Sequence, residues 1–334
     1  MITAAWKKLA STATLRRSSQ TLSVIGRTAY VYGGELRPRE PVDAELYACS
    51  VSQTSSDQGS RISQVNHQSA APQPRVGSAT TALAGKFYMF SGRGGLAMAP
   101  IEENGSVWCF DPAEKSWSLV DPADGQLPFP KGRSYHAMTS DGESTIYVHA
   151  GCPENGRLGD LWAFNLSTRK WTELSSAPDP ARGGTSIAFS QGKLWRMNGF
   201  DGKTEQGGSL DVFDPKNNSW TSNQYPTDGK QGPSPRSVCC LLALNVQGRH
   251  SLLTGFGESD PSNLGHQGAG RMLDDVWLYD IASNTWQLVS AQDGTSPPPR
   301  GWFAAETVGG SDVLVQGGLS PSNERLDDLW LLSF

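Results

Sequence analysis

The chain has 334 residues, with 37 glycines, 11 tryptophans and a formal net charge of −5. No apolar run approaches the roughly 20 residues that span a bilayer, and a net acidic chain without a basic tract offers nucleic acid no footing, so membrane and nucleic-acid partners are both excluded. The five cysteines (Cys49, Cys109, Cys152, Cys239, Cys240) are odd in number, show no C-x-x-C spacing and sit mostly in apolar runs such as "VCCLLAL"; they read as reduced thiols of a soluble cytoplasmic protein.

In chain order, the first segment has no acidic residue before Glu35, and its Lys, Arg, Ser and Thr content resembles a mitochondrial transit peptide. Its "AAWKKLAST", however, matches the outer-strand pattern "KWTELSS" found later, which predicts a structural strand around Trp6. Six β-rich runs follow, each closing on a glycine: Gly34, Gly92, Gly151, Gly199, Gly257 and Gly318. After the second to fifth of these come an aromatic residue and, seven positions on, a tryptophan: Phe110 and Trp117, Phe164 and Trp171, Phe213 and Trp220, Tyr279 and Trp286. The turn residues between them predict a hairpin in each case. The last unit stops at "DDLWLLSF" without such a hairpin, so the N-terminal strand is expected to complete it and to cover an open sheet edge.

Long units of this kind, with a glycine pair and an aromatic-to-tryptophan spacing, resemble kelch repeats. The implied fold is all-β, a six-bladed kelch β-propeller formed by residues 1–334 as one domain, with blade 6 closed by the N-terminal strand. With strands a to d running outward from the axis, the b-to-c loops and the d-to-a linkers meet at one mouth. The linkers carry Arg17, Arg75, Arg133, Arg182, Arg236 and Arg300, which either rigidify the linkers by pairing with acids and carbonyls or face the mouth and bind an oxyanion. Blade 3 has a short b-to-c loop, "CPENGRLGD", whereas blades 2 and 5 have long ones; that of blade 5 holds "GESDPSNLGHQGAG", residues 257–270. His136, three positions after Arg133, also comes near the mouth, with its facing left open by the strand alternation.

Beyond the kelch signature, "GGELRPREPVDAELY", "QGKLW", "PRGW" and "GGLSPSNERLDDLW" resemble the plant specifier proteins: the nitrile-specifier, epithiospecifier and thiocyanate-forming proteins. The resemblance implies a non-haem Fe(II) enzyme that acts on the unstable aglucone released from a glucosinolate and directs it toward nitrile-type products. The family motif Glu-x-x-x-Asp-x-x-x-His maps its ends onto Glu258 and His266 and its middle onto Ser262, a neutral hydroxyl in place of a carboxylate. The third ligand is then Ser262, Asp260 or water. The substrate arginines of the family correspond best to Arg75 and Arg133, taken as catalytic and substrate-binding, with Arg182, Arg236 and Arg300 as further substrate contacts. The alternative is a kelch scaffold without catalysis that holds a protein partner at its mouth, with a homodimer as the assembly left open.

Overall fold

The computed structural model describes residues 2–51, 61–67, 69–123 and 128–334, with the side chain of His266 outside the described set. Among them are four four-stranded antiparallel sheets and one eight-stranded sheet, which divides into two further four-stranded antiparallel units joined by a short parallel pairing. Blade 1 comprises Thr21–Ile25, Thr28–Tyr32, Leu46–Ser50 and Ile62–Gln64; blade 2, Ala79–Leu83, Lys86–Phe90, Val107–Asp111 and Ser116–Val120; blade 3, Ala137–Ser140, Thr145–Gly151, Leu158–Asn165 and Lys170–Leu174. Blade 4 comprises Ser186–Ser190, Lys193–Met197, Ser209–Asp214 and Ser219–Gln224; blade 5, Cys240–Val246, Arg249–Gly255, Val276–Asp280 and Thr285–Ala291. Blade 6 takes Ala304–Val308, Asp312–Gln316 and Asp328–Ser333, and the N-terminal strand Ile2–Ser11 is its fourth. That strand lies antiparallel to Asp328–Ser333, from Ala5 opposite Ser333 to Ser11 opposite Asp328, and its start also pairs in parallel with the rim of blade 5. Among the described residues no helix is long and apolar enough to cross a membrane.

The ring closes through the backbone. The residue two positions after each linker arginine takes a left-handed conformation, and its N–H donates to the carbonyl of its counterpart one blade back. The cycle runs Ser19, Gly77, Tyr135, Gly184, Val238, Trp302 and back to Ser19, with donor–acceptor distances of 2.7–3.1 Å. The innermost strands touch one another in the same cyclic order. The glycines that end the second strands adopt φ between +93° and +116°, a region that favours residues without Cβ. At Gly257 a Cβ would lie 2.6 Å from the Ser237 carbonyl oxygen, so the close approach of adjacent segments excludes any larger residue there.

The apolar alternation of the strands fills the spaces between blades. The aromatic–tryptophan pairs stand directly opposite one another across their hairpins, with ring centroids 5.1 Å apart for Phe110 and Trp117, 4.8 Å for Phe164 and Trp171, 5.1 Å for Phe213 and Trp220, and 4.9 Å for Tyr279 and Trp286. Such contacts contribute about 0.5–1.5 kcal/mol each beyond the area they bury. None of the five cysteines is in a disulfide, and Cys49, Cys109 and Cys240 are buried.

Candidate functional site

The linker arginines occupy the blades rather than the mouth. Arg75 is bonded to both carboxylate oxygens of Glu103 at 2.9 and 3.1 Å, Arg133 to Asp160 at 2.6 and 2.9 Å, Arg236 to Asp275 at 2.7 and 2.8 Å, and Arg300 to Asp328 at 2.7 and 2.9 Å. Each also donates to a carbonyl at the end of a neighbouring strand, those of Ser91, Ala150, Phe256 and Gly317. A tryptophan indole holds each acid from the other side: Trp108, Trp162, Trp277 and Trp330. Arg17 donates to Gly33 and Thr14 carbonyls beside Asp43, and Arg182 to those of Asn198 and Pro180. All six are buried. The expectation that Arg75, Arg133, Arg182, Arg236 and Arg300 face a ligand is therefore corrected: all five are buried in the blades, four of them paired with a carboxylate and Arg182 bonded to carbonyls, and none lines the mouth cavity.

The mouth is lined by a different register. The residue directly after each glycine of the second strand begins the b-to-c loop and bridges to the linker: Glu35, Arg93, Cys152, Phe200, Glu258 and Leu319. The first five line a cavity of about 520 Å³. Its floor includes Tyr135, Val238 and Trp302 from the backbone ring, and Arg157 and Glu205 reach it from the loops of blades 3 and 4. Sequence reasoning missed Arg93, Arg157 and Glu205, although the position after the glycine was a usable signal for the wall.

On one side of the cavity stand two cations without carboxylate partners among the described residues. Arg93 donates to the Ser134 hydroxyl and to the carbonyls of Met98 and Pro153. Arg157 donates to the Gly156 carbonyl, lies 5.9 Å over the Phe200 ring, and leaves its buried Nε without a partner. Burial pushes the Cys152 thiol up, while the charges of Arg157 and Arg93 pull against it, so both guanidiniums converge on this wall position. From the loops of blades 4 and 5, two carboxyls that line the same cavity hold protons unusually well. Burial, with the Gly270 N–H at 2.7 Å opposing it, pushes Glu258 up to about 7. Burial also pushes Glu205 up to about 8, with the Ser237 hydroxyl opposing and the charges of Glu258, Asp201 and Asp260 adding to it; neither oxygen of Glu205 makes a full hydrogen bond among the described residues.

The raised Glu205 has a consequence for stability. Its proton is retained in the folded chain at pH values where the unfolded chain has released it, so unfolding becomes easier as pH rises from about 4.5 to about 8. Glu205→Gln is expected to remove most of that slope and to stabilise the protein at pH 8.5 by about 2–3 kcal/mol, allowing for solvent in the cavity. Urea unfolding at pH 6 and pH 8.5 checks this; equal slopes for both proteins would show that Glu205 ionises freely.

The residues expected to hold iron come together only in part. Glu258 is buried and lines the cavity, in a cradle where a Cβ on Gly270 would lie 2.5 Å from its Oε1. Ser262 also lines the cavity, but its hydroxyl accepts the Leu264 N–H at 3.1 Å within the turn. Asp260 is exposed, in a left-handed conformation, and its carbonyl rather than its side chain is used by Arg271. His266 lies on the short helix Gly265–Gln267, and its side chain falls outside the described residues. Of the four expected ligands, the described side chains thus place Glu258 and Ser262 at the cavity, and no set of three His, Cys, Asp or Glu groups able to hold a metal occurs among the described residues. His136 is buried beneath the floor against Phe90, away from the mouth, and burial together with the Arg133 charge pushes it down to about 3.

Comparison with known proteins gives two kinds of match. Residues 19–255 match the family described as the KLHDC2/KLHL20/DRC7 Kelch-repeats domain. Over 344 residues the chain is 28% identical to an N-(sulfonatooxy)prop-2-enimidothioate sulfolyase of Thlaspi arvense, covering 95% of this chain and 92% of that protein. It is 26% identical to an Adagio-like protein 3 of Oryza sativa subsp. japonica over 98% of this chain, and 25% identical to an F-box/kelch-repeat protein of Arabidopsis thaliana over 64% of it. In those two cases it spans only 50% and 45% of the relative.

Proposed function

Starting from a chain that belongs to the kelch-repeat family, we propose that it is a specifier-like enzyme whose mouth cavity takes a small organic anion bearing a sulfonatooxy group and promotes cleavage of its N–O bond with loss of sulfate, the thiolate sulfur leaving as elemental sulfur where the product is a nitrile and staying in the product where it is a thiocyanate. The observation that carries this reading is the pair Arg93 and Arg157, two guanidiniums in one cavity wall that make no ion pair among the described residues. Charge-assisted hydrogen bonds from such a pair favour a multi-oxygen anion and, in a partly dry cavity, favour it more as negative charge gathers on a departing sulfate. The carboxyls of Glu258 and Glu205, which line the same cavity, keep protons near neutral pH, which limits repulsion of an incoming anion. The extent of the likeness to the Thlaspi sulfolyase supports the same chemistry. Fe(II) enters this proposal through the likeness alone: Glu258 is a cavity-lining carboxylate that could contribute to holding it, and a bound ion would supply a Lewis acid for the substrate.

Sulfate release from an N-sulfonatooxy imidothioate, followed with and without anaerobic Fe(II), tests the reading. Release above the spontaneous rate is expected, and Arg93→Ala or Arg157→Ala should weaken substrate binding by about 10- to 100-fold, the worth of one lost charged hydrogen bond. Equal release with and without protein would overturn the enzyme reading. The second reading, a protein partner at the mouth, is favoured by Leu36, Leu96 and Leu264, exposed large apolar side chains on the b-to-c loops of blades 1, 2 and 5.

A further inference from the structure

Three voids are stacked along the propeller axis: the mouth cavity of about 520 Å³, a small chamber of about 120 Å³ beneath it, and a channel of about 440 Å³ open to the opposite side. Tyr135, Val238 and Trp302 line both the mouth and the small chamber, so their side chains form the layer between the two. They belong to the hydrogen-bonded backbone ring, in which every member is left-handed: φ is 51° at Tyr135, 46° at Val238 and 50° at Trp302. L side chains disfavour this conformation, and a β-branched one disfavours it most. Glycine occupies two other positions of the same ring, Gly77 and Gly184, so the fold itself accepts glycine there.

The two glycines also show how the large side chains are laid down. A Cβ on Gly77 would lie 3.2 Å from the Tyr135 ring, and one on Gly184 would lie 3.0 Å from a Val238 methyl. The Tyr135 ring therefore passes over Gly77, and its hydroxyl reaches the Ser19 hydroxyl at 3.3 Å; Val238 leans over Gly184. Bulky and small positions around the ring interlock into a floor. A backbone strained to carry tyrosine, valine and tryptophan, where glycine would sit without strain, points to a use for those side chains.

We propose that Tyr135, Val238 and Trp302 are specificity-determining residues: their layer forms the floor on which the apolar arm of an anionic ligand rests, and it sets how long that arm can be. The proposal rests on the anion-binding reading of the mouth. Arg93 and Arg157 on the wall take the charged end, and the arm is directed down onto the surface that Tyr135, Val238 and Trp302 form between the mouth and the small chamber. Burying each methylene of the arm is worth about fourfold in affinity until the arm meets the floor, after which added carbons gain nothing.

The experiment uses the full chain and straight-chain alkyl sulfates from methyl to octyl, with affinity read by calorimetry below the micelle concentration. For the wild type, affinity is expected to rise by about fourfold per carbon and then stop. Trp302→Ala should move the stopping point outward by two or more carbons. Val238→Gly should do likewise while relieving backbone strain, and it keeps the test available if the tryptophan variant does not fold. A stopping point unchanged in the folded variants, or an affinity independent of chain length in the wild type, overturns the floor proposal while leaving the anion site standing. No binding of any alkyl sulfate by the wild type overturns the anion reading and the floor with it.

Discussion

Removal of residues 1–12 is expected to unfold the protein at physiological temperature, or at the least to lower its melting temperature by more than 15 °C, a shift of roughly several kcal/mol for a chain of this size. The segment contributes the whole outer strand of blade 6, Ile2–Ser11. Ala4, Trp6 and Leu9 are buried within it, and Trp6 lies edge-on to Phe256 with centroids 6.0 Å apart, in the cluster between blades 5 and 6. Loss of the strand exposes the edge of Asp328–Ser333, an apolar strand with unpaired backbone groups that invites association. The parallel pairing of Ile2, Thr3 and Ala4 with Val289, Ser290 and Ala291 disappears as well, and with it a tie between the last two blades. Circular dichroism melting of the truncated chain decides the matter. A melting temperature within a few degrees of the full chain would mean that the ring is closed adequately without this strand.

Arg300→Ala is expected to cost about 3–5 kcal/mol of stability whether or not sulfate is present, because it strands the buried Asp328 carboxylate between the Trp330 indole and an empty space. Arg300 and Asp328 are both almost fully buried, so water cannot replace the lost guanidinium without disrupting the linker. Arg93→Ala should behave in the opposite way. It removes bonds to neutral acceptors at the half-buried mouth, leaves stability within about 1 kcal/mol, and removes the stabilisation that sulfate gives to the wild type. Chemical unfolding of both variants at two sulfate concentrations separates the roles. A sulfate response kept by Arg93→Ala and lost by Arg300→Ala would return the ligand to the linker arginines.

The repeating signals along the chain were legible because each states a local requirement. Glycine recurs where the backbone turns left-handed beside a neighbouring carbonyl, as at Gly257, and Phe164 with Trp171 marks two residues that face each other across one hairpin. Trp6 was legible for the same reason: the spacing of charged and apolar residues around it is that of an outer strand. The linker arginines were visible as a ring, with pairing to acids and carbonyls as one of their two readings, but the acids themselves, Asp160, Asp275 and Asp328 among them, were not identified before the fold brought them close.

The sequence by itself therefore determined the all-β class, the repeat, and the side of the molecule on which the variable loops gather, because periodicity, turn chemistry and antiparallel connectivity act between near neighbours. Only the tertiary structure decided which charges are spent. Arg133 finds Asp160 on the third strand of its own blade, 27 residues away, whereas Arg93 finds only a hydroxyl and carbonyls, and nothing in either local sequence distinguishes the two. A buried guanidinium is held wherever a carboxylate and free carbonyls coincide in space, whereas Arg93 stands at the mouth with its charge unpaired among the described residues. That difference is set by register between strands distant in the chain. The same holds for the floor, where Tyr135, Val238 and Trp302, separated along the sequence by a blade or more, meet because the backbone ring brings six equivalent positions to one axis.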